Sequence, residues 1–269
     1  MKYLSLLLSV AFIVSCAAPS PEPTPTPEAP EMPVKEYVVS SVLWQQHSAE
    51  YKALCYQAFN IATLRLQQLE GTSEKPLAII TDIDETVLDN SPYSGMQVQE
   101  DLEFDKDDWI EWGKQQSAAE VPGAVEFFNF ADSLGVEVFY ISNRYHVQLD
   151  ETLANMQALD LPNADSSHVF LKTETSEKQA RRDRVLNDYE VVLYLGDNLS
   201  DFSSVFDGQG TAARNQLAKD LQASFGDQFI VFPNPMYGDW ESKGIYEASR
   251  DWSDAQRDSL RKAKIESYK

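Results

Sequence analysis

Apolar residues recur along this chain in two rhythms. Between positions 38 and 70 they fall three and four apart, at Val42, Leu43, Ala49, Ala53, Leu54, Ala58, Ile61 and Leu64, the spacing of one helix face. Gly71-Thr72-Ser73 ends that stretch, and Lys75-Pro76 leads out of it. From there on, short apolar runs appear at 77–80, 136–141, 169–171, 191–195 and 229–232. Their length and bounding turn residues predict buried strands. Between them the pattern turns helical over 124–134, 147–159, 176–187 and 211–225, the first opened by Pro122-Gly123. Strands alternating with helices predict an α/β fold, a Rossmann-like parallel sheet with helices on both faces. Its core is expected over 76–240. The helical segment 38–70 and the polar, aromatic-rich stretch 93–120 are assigned to a small helical cap. The charged tail from Tyr246 reads as mostly helical.

The first residues follow neither rhythm. Lys2 precedes an apolar stretch from Leu4 to Val14, too short to span a bilayer as a mature helix. It ends in Ile13-Val14-Ser15-Cys16, which resembles the lipobox of bacterial lipoproteins. That resemblance implies a signal peptide over 1–15, Cys16 as a lipidated N-terminus, and a cell-envelope location. An ordinary signal peptide with a chance Cys is the alternative. Ala18, rather than Asp, stands second after the Cys and favours the outer membrane. Residues 16–36 include Pro21-Glu22-Pro23-Thr24-Pro25-Thr26-Pro27. Such a segment cannot pack a core and is expected to be an extended linker. The folded domain is then 37–269.

Charge narrows the partners. The 269 residues carry a formal net charge of −21, which disfavours a nucleic-acid polymer, since phosphate backbones need a basic surface. A small anionic ligand has to be drawn in by local positive charge or a metal. Only Cys55 remains after Cys16, so the mature domain forms no internal disulfide. Cys55 sits in a helical pattern and reads as a small buried apolar residue.

The chemistry concentrates just after the predicted strands. Asp82-Ile83-Asp84-Glu85-Thr86 follows the 77–80 run, so both aspartates are expected at a strand's C-terminal tip, where open α/β sheets bind ligands. One carboxylate there can attack an electrophile while the other moves protons. Ser142-Asn143-Arg144 follows the 136–141 run, Lys178 opens the charged helix, and Gly196-Asp197-Asn198-Leu199-Ser200-Asp201 follows the 191–195 run. Each motif is weak alone. All four in order resemble the phosphatases of the haloacid dehalogenase superfamily. The further runs Asp89-Asn90-Ser91-Pro92-Tyr93, Asp201-Phe202 and Asn234-Pro235-Met236-Tyr237-Gly238-Asp239-Trp240 resemble the class C acid phosphatases, bacterial and often lipid-anchored enzymes that include 5′-nucleotidases.

That resemblance implies roles. Asp82 would be the nucleophile, forming an aspartyl-phosphate, and Asp84 the general acid and then base. Mg²⁺ would be held by Asp82, Asp197 and the backbone carbonyl of Asp84, with Asp201 a direct ligand or an orienter of bound water. Ser142 and Lys178 would grip the phosphoryl oxygens. Asn143 and Arg144 are expected on the substrate side, with a surface position the alternative for Arg144. Trp109, Tyr237 and Trp240 match positions that grip the organic part of the substrate, while Trp112 reads equally as core. Met96 departs from the relatives' Tyr-x-Gly-Trp, which bears on pocket shape. Asp89 and Asn90 read as turn formers, and Arg181, Arg182 and Arg184 as a solvated helix face. His146 and His168 have no metal-ligand spacing and are given no role.

The expected activity is hydrolysis of small organic phosphomonoesters, nucleoside 5′-monophosphates foremost, with an acidic optimum. A phosphotransferase on the same site and a non-catalytic surface lipoprotein binding haem or a nutrient are the competitors. The intact set of Asp82, Asp84, Ser142, Lys178 and Asp197 argues against the latter. The oligomeric state is open, a homodimer included.

Overall fold

A computed structural model describes residues 33–69, 73–249 and 251–269. Cys16, the segment 1–15 expected to be a signal peptide, nearly all of the segment 16–36 expected to be a linker, and Gly71 and Thr72 lie outside the described residues. In chain order the elements are α1 (Val39–His47), α2 (Ala49–Gln67), β1 (Leu77–Thr81), β2 (Leu88–Asp89), α3 (Ser91–Glu100), α4 (Lys106–Lys114), β3 (Ala119–Glu120), α5 (Ala124–Ser133), β4 (Glu137–Tyr145), α6 (Leu149–Ala158), β5 (Val169–Lys172), α7 (Gln179–Asp188), β6 (Glu190–Gly196), α8 (Thr211–Asp220), β7 (Phe229–Val231) and α9 (Asp254–Ala263). Among the described residues no helix is long and apolar enough to cross a membrane.

Five strands form one parallel sheet in the order β5-β4-β1-β6-β7. The chain moves outward from β1 through β4 to β5, then returns to β6 on the other side of β1. This reversal makes β1 the switch point, where the flanking crossovers part and open a crevice at the strand tips. β1 is buried on both faces, as a central parallel strand must be. Ile79 belongs to the larger core, while Ala78 and Ile80 face the opposite side with Phe139, Ile141 and Val185 of α7. The alternation follows from the two-residue period of a strand.

The larger core corrects one expectation. The helical stretch 38–70 is not set apart as a cap, because α2 packs on the sheet. Phe59 of α2 lies 5.3 Å from Phe127, 6.0 Å from Phe128 and 4.6 Å from Phe232, ring centre to ring centre. Cys55 and Ala62, also on α2, are fully buried in the same core. The reason is the face of small or aromatic side chains at 51, 55, 58, 59 and 62, three and four apart, which the apolar pattern around Leu54 and Leu64 masked. Those two leucines are exposed. The stretch 93–120 holds α3, α4 and β3, and β3 pairs antiparallel with β2. The sequence pattern predicts a turn at Asp89 and helical cap through 120, and neither strand of this ribbon.

Candidate active site

The tips of β1, β4 and β6 bring four sequence motifs together. Asp82 follows β1 directly, and its backbone N–H continues the ladder to Leu195 O at 2.9 Å. Lys178 lies just before the first turn of α7 and reaches back across the site. Its Nζ pairs with Asp82 Oδ1 at 2.5 Å and Asp201 Oδ1 at 2.7 Å. Burial disfavours its charge, but Asp201 and Asp82 outweigh burial and raise its pKa, so it remains an ammonium.

Asp82, Asp197 and Asp201 form a carboxylate cluster whose oxygens, one from each residue, lie within 4.8 Å of one another. Asp201 is therefore a full member, beside the two carboxylate ligands expected from sequence. Its approach depends on glycine: a Cβ on Gly196 would stand 2.5 Å from Asp201 Oδ2. Asp201 Oδ2 also accepts from Asn198 N at 3.0 Å, which closes the loop on itself. Asn234 donates to Asp197 Oδ2 at 2.8 Å.

The cluster fits a divalent cation. Among the described residues, Lys178 is the one cationic side chain paired with any of the three carboxylates. Burial pushes Asp82 up to about 7, with Lys178 opposing and Asp201 and Asp84 reinforcing. Burial, then Asp201 and Asp82, pushes Asp197 well above the usual carboxylate range. Uncompensated negative charge is held on an all-oxygen donor set, which suits a hard metal.

Asp84 stands apart from that cluster. Arg144 Nε donates to its Oδ1 at 2.8 Å, Asn90 Nδ2 donates to the same oxygen at 2.9 Å, and Ser142 Oγ donates to Oδ2 at 3.1 Å. Ser142 is buried and Asn143 exposed. Asn143 Oδ1 accepts from Arg181 at 2.8 Å. Arg144 is not a surface residue: it is 2% exposed, and its guanidinium is engaged with Asp84, Asn90 and Thr152.

Two more expectations change here. Arg181 and Arg182 are not a solvated face. Arg182 is fully buried and donates to the carbonyls of Ser200 and Asp201 at 2.9 and 3.1 Å. Arg181 donates to Ser142 O at 2.5 Å. The two arginines hold two motif loops from one helix, a role that charge patterning alone does not reveal. Asn90, read as a turn former, reaches Asp84, and Glu85 is buried with φ 60°. Glu85 accepts from Gln45, from Asn90 N at 3.1 Å and from Tyr237 OH at 3.3 Å. Those bonds hold a left-handed backbone that a non-glycine residue rarely adopts.

A cavity of about 610 Å³ opens from the carboxylates between α3, α4, the β4 tip and the segment after Pro235. Its walls include Tyr93, Trp109, Tyr145 and Tyr237. Trp109 meets Tyr93 edge-on at 5.0 Å. Trp240 does not line the cavity; it is half-exposed, and its Nε1 donates to Tyr237 O at 3.2 Å. Trp112 packs against the core and donates to Asn90 Oδ1 at 2.9 Å. Met96 is half-buried and outside the cavity wall. His168 bridges Asp165 and Glu137, at the start of β4 and away from its C-terminal tip.

Comparison with known proteins agrees with this arrangement. Residues 19–240 match the family described as HAD superfamily, subfamily IIIB (acid phosphatase). The structure of the class C acid phosphatase from Bacillus anthracis is 40% identical with a TM-score of 0.85, covering 88% of this chain and 100% of that one. Its tungstate-bound crystal structure is 39% identical with the same TM-score and coverage. Among plant proteins, the stem 31 kDa glycoprotein of Glycine max is 26% identical over 76% of this chain and 72% of its own length. Acid phosphatase 1 of Solanum lycopersicum is 28% identical over 59% of this chain and 57% of its own. With the family match spanning most of its length, the chain belongs to the acid phosphatases of HAD superfamily subfamily IIIB.

Proposed function

We propose that this phosphatase hydrolyses small organic phosphomonoesters, nucleoside 5′-monophosphates foremost, through an aspartyl-phosphate on Asp82. The observation that carries the reading is the division of labour between two carboxylates on one strand tip. Asp82 is paired with an ammonium and a carboxylate cluster, whereas Asp84 is held separately by Arg144, Asn90 and Ser142. In the first displacement an Asp82 oxygen bonds phosphorus, the ester bond breaks, and Asp84 protonates the departing alkoxide. In the second, Asp84 takes a proton from water, the hydroxyl bonds phosphorus, and the Asp82 carboxylate leaves. Mg²⁺ held by Asp82, Asp197 and Asp201 would offset the repulsion between nucleophile and phosphate. Lys178 lies against Asp82 and supplies positive charge where the phosphoryl group must sit.

Substrate class is read from the cavity. Its aromatic walls suit a flat ring stacked beside a phosphate. Tungstate, which the Bacillus anthracis relative binds, is a tetrahedral oxyanion like phosphate and supports an oxyanion site. Lipidation at Cys16 would hold the enzyme at the bacterial envelope, facing extracytoplasmic substrates.

Phosphate release from p-nitrophenyl phosphate and a panel of 5′-nucleotides, with Mg²⁺ and with EDTA, tests the reading. Asp82→Asn should abolish turnover while nucleotide binding persists. Turnover that survives Asp82→Asn would rule out the aspartyl-phosphate route.

A further inference from the structure

Arg144 has three acceptors for one buried guanidinium. Nε donates to Asp84 Oδ1 at 2.8 Å, Nη2 to Asn90 Oδ1 at 3.0 Å and Nη1 to Thr152 Oγ1 at 3.3 Å. The Trp109 ring lies over the guanidinium at 5.6 Å. Asn90 Oδ1 also accepts from Trp112 Nε1 at 2.9 Å. Two obligate donors converge on that oxygen, so the Asn90 amide can be oriented only one way. Its Nδ2 must face Asp84 Oδ1, where it lies at 2.9 Å.

The two oxygens of Asp84 are therefore unlike. Oδ1 is occupied by two N–H donors that cannot accept. A proton there would face both of them, at a cost comparable to losing buried hydrogen bonds. Among the described residues, Oδ2 meets only the Ser142 hydroxyl, at 3.1 Å. A hydroxyl both donates and accepts, so it tolerates Oδ2 bare or protonated.

We propose that Arg144 is a positioning residue which, with Asn90, reserves Asp84 Oδ1 and makes Oδ2 the oxygen that passes the proton to the leaving group. The proposal rests on the reading of Asp84 as the general acid. As the ester P–O bond breaks and Asp82 bonds phosphorus, the electron pair of the departing oxygen takes the Oδ2 proton. The same oxygen recovers a proton from water in the second displacement. Arg144 acts through Asp84, which distinguishes it from an arginine whose role is to grip the phosphate.

The test is leaving-group dependence in the full-length protein with added Mg²⁺. Rates would be compared for phosphomonoesters from p-nitrophenol to a simple alkyl alcohol. General acid catalysis is worth ~10²–10⁴-fold where the leaving group needs its proton, and little for p-nitrophenol. Arg144→Met should lose about 10²-fold or more in kcat/KM on the alkyl ester and far less on p-nitrophenyl phosphate, since kcat/KM reports the first displacement alone. Arg144→Lys, which restores one donor, should recover part of the alkyl activity. Equal losses along the series would overturn the proposal. Asp84→Asn separates the two claims. A flat loss there sinks the general-acid reading itself, whereas a steep loss there with a flat one for Arg144→Met sinks only the role of Arg144. Should Arg144→Met fail to fold, Asn90→Ser removes the other donor to Oδ1 and must steepen the series in the same way.

Discussion

Lys178 carries more of this site than its place in a charged helix suggests. It is 5% exposed and touches both Asp82 and Asp201. Without it, two carboxylates would face each other with no cationic side chain in contact. Lys178→Met should lower kcat by about 10²–10³-fold, the scale of losing one preorganised electrostatic group. Steady-state kinetics at saturating Mg²⁺ would measure it. An unchanged kcat with a raised KM would instead mean that Lys178 binds ground state and transition state alike. Arg182 teaches the same point about burial: its place beside Arg181 and Arg184 in the sequence looks solvated, yet it braces the Asp201 loop.

At the scale of elements, α2 belongs to the core. Phe59 is 4% exposed and meets three phenylalanines from α5 and the end of β7. Truncating a buried aromatic removes its transfer energy and leaves a cavity. Phe59→Ala should cost ~3–5 kcal/mol of unfolding free energy, read by urea denaturation. A loss below about 1 kcal/mol would mean that α2 is dispensable, as a detached cap would be. The strand positions were legible because their apolar runs are short and flanked by turn residues. The β2–β3 ribbon was not, since two-residue strands carry no period. The fate of α2 was hidden for a related reason: its buried face uses Ala and Cys beside aromatics, while Leu54 and Leu64 sit on the exposed side.

For the whole molecule, the acidic cluster links protons, metal and stability. Burial raises Asp82 from 3.8 to about 7, and Glu85 from 4.5 to about 8. Asp197 moves in the same direction. Between the unfolded and folded values the native state binds more protons than the unfolded chain. Stability of the metal-free protein therefore falls as pH rises from about 4 toward 8. A cation competes with those protons, so added Mg²⁺ should raise Tm more at pH 7.5 than at pH 4.5. Calorimetry of EDTA-treated protein with and without Mg²⁺ checks both halves. A metal-induced shift that is larger in acid would contradict the cluster as the binding site.

The order of apolar runs was enough to set the α/β class and the sheet edge at which Asp82, Asp84, Ser142 and Asp197 fall, and the family resemblance added Lys178 and the expected roles. These are local facts: a strand's period and the residues at its end do not depend on distant contacts. What tertiary structure alone decided is which donors meet which acceptors. Arg144, a cavity-lining residue, also proved to be a partner of Asp84, Asn90 turned from a turn former into its second donor, and Trp240 from a pocket wall into a support for Tyr237. Asp201 joined the carboxylate cluster because Gly196 leaves it room. The pairing of Arg144 with Asp84 depends on the sheet order that sets β4 beside β1, since residues 60 positions apart meet only once that order exists. The Asn90, Trp240 and Asp201 contacts are near in sequence, but only the folded loops aim those side chains at each other.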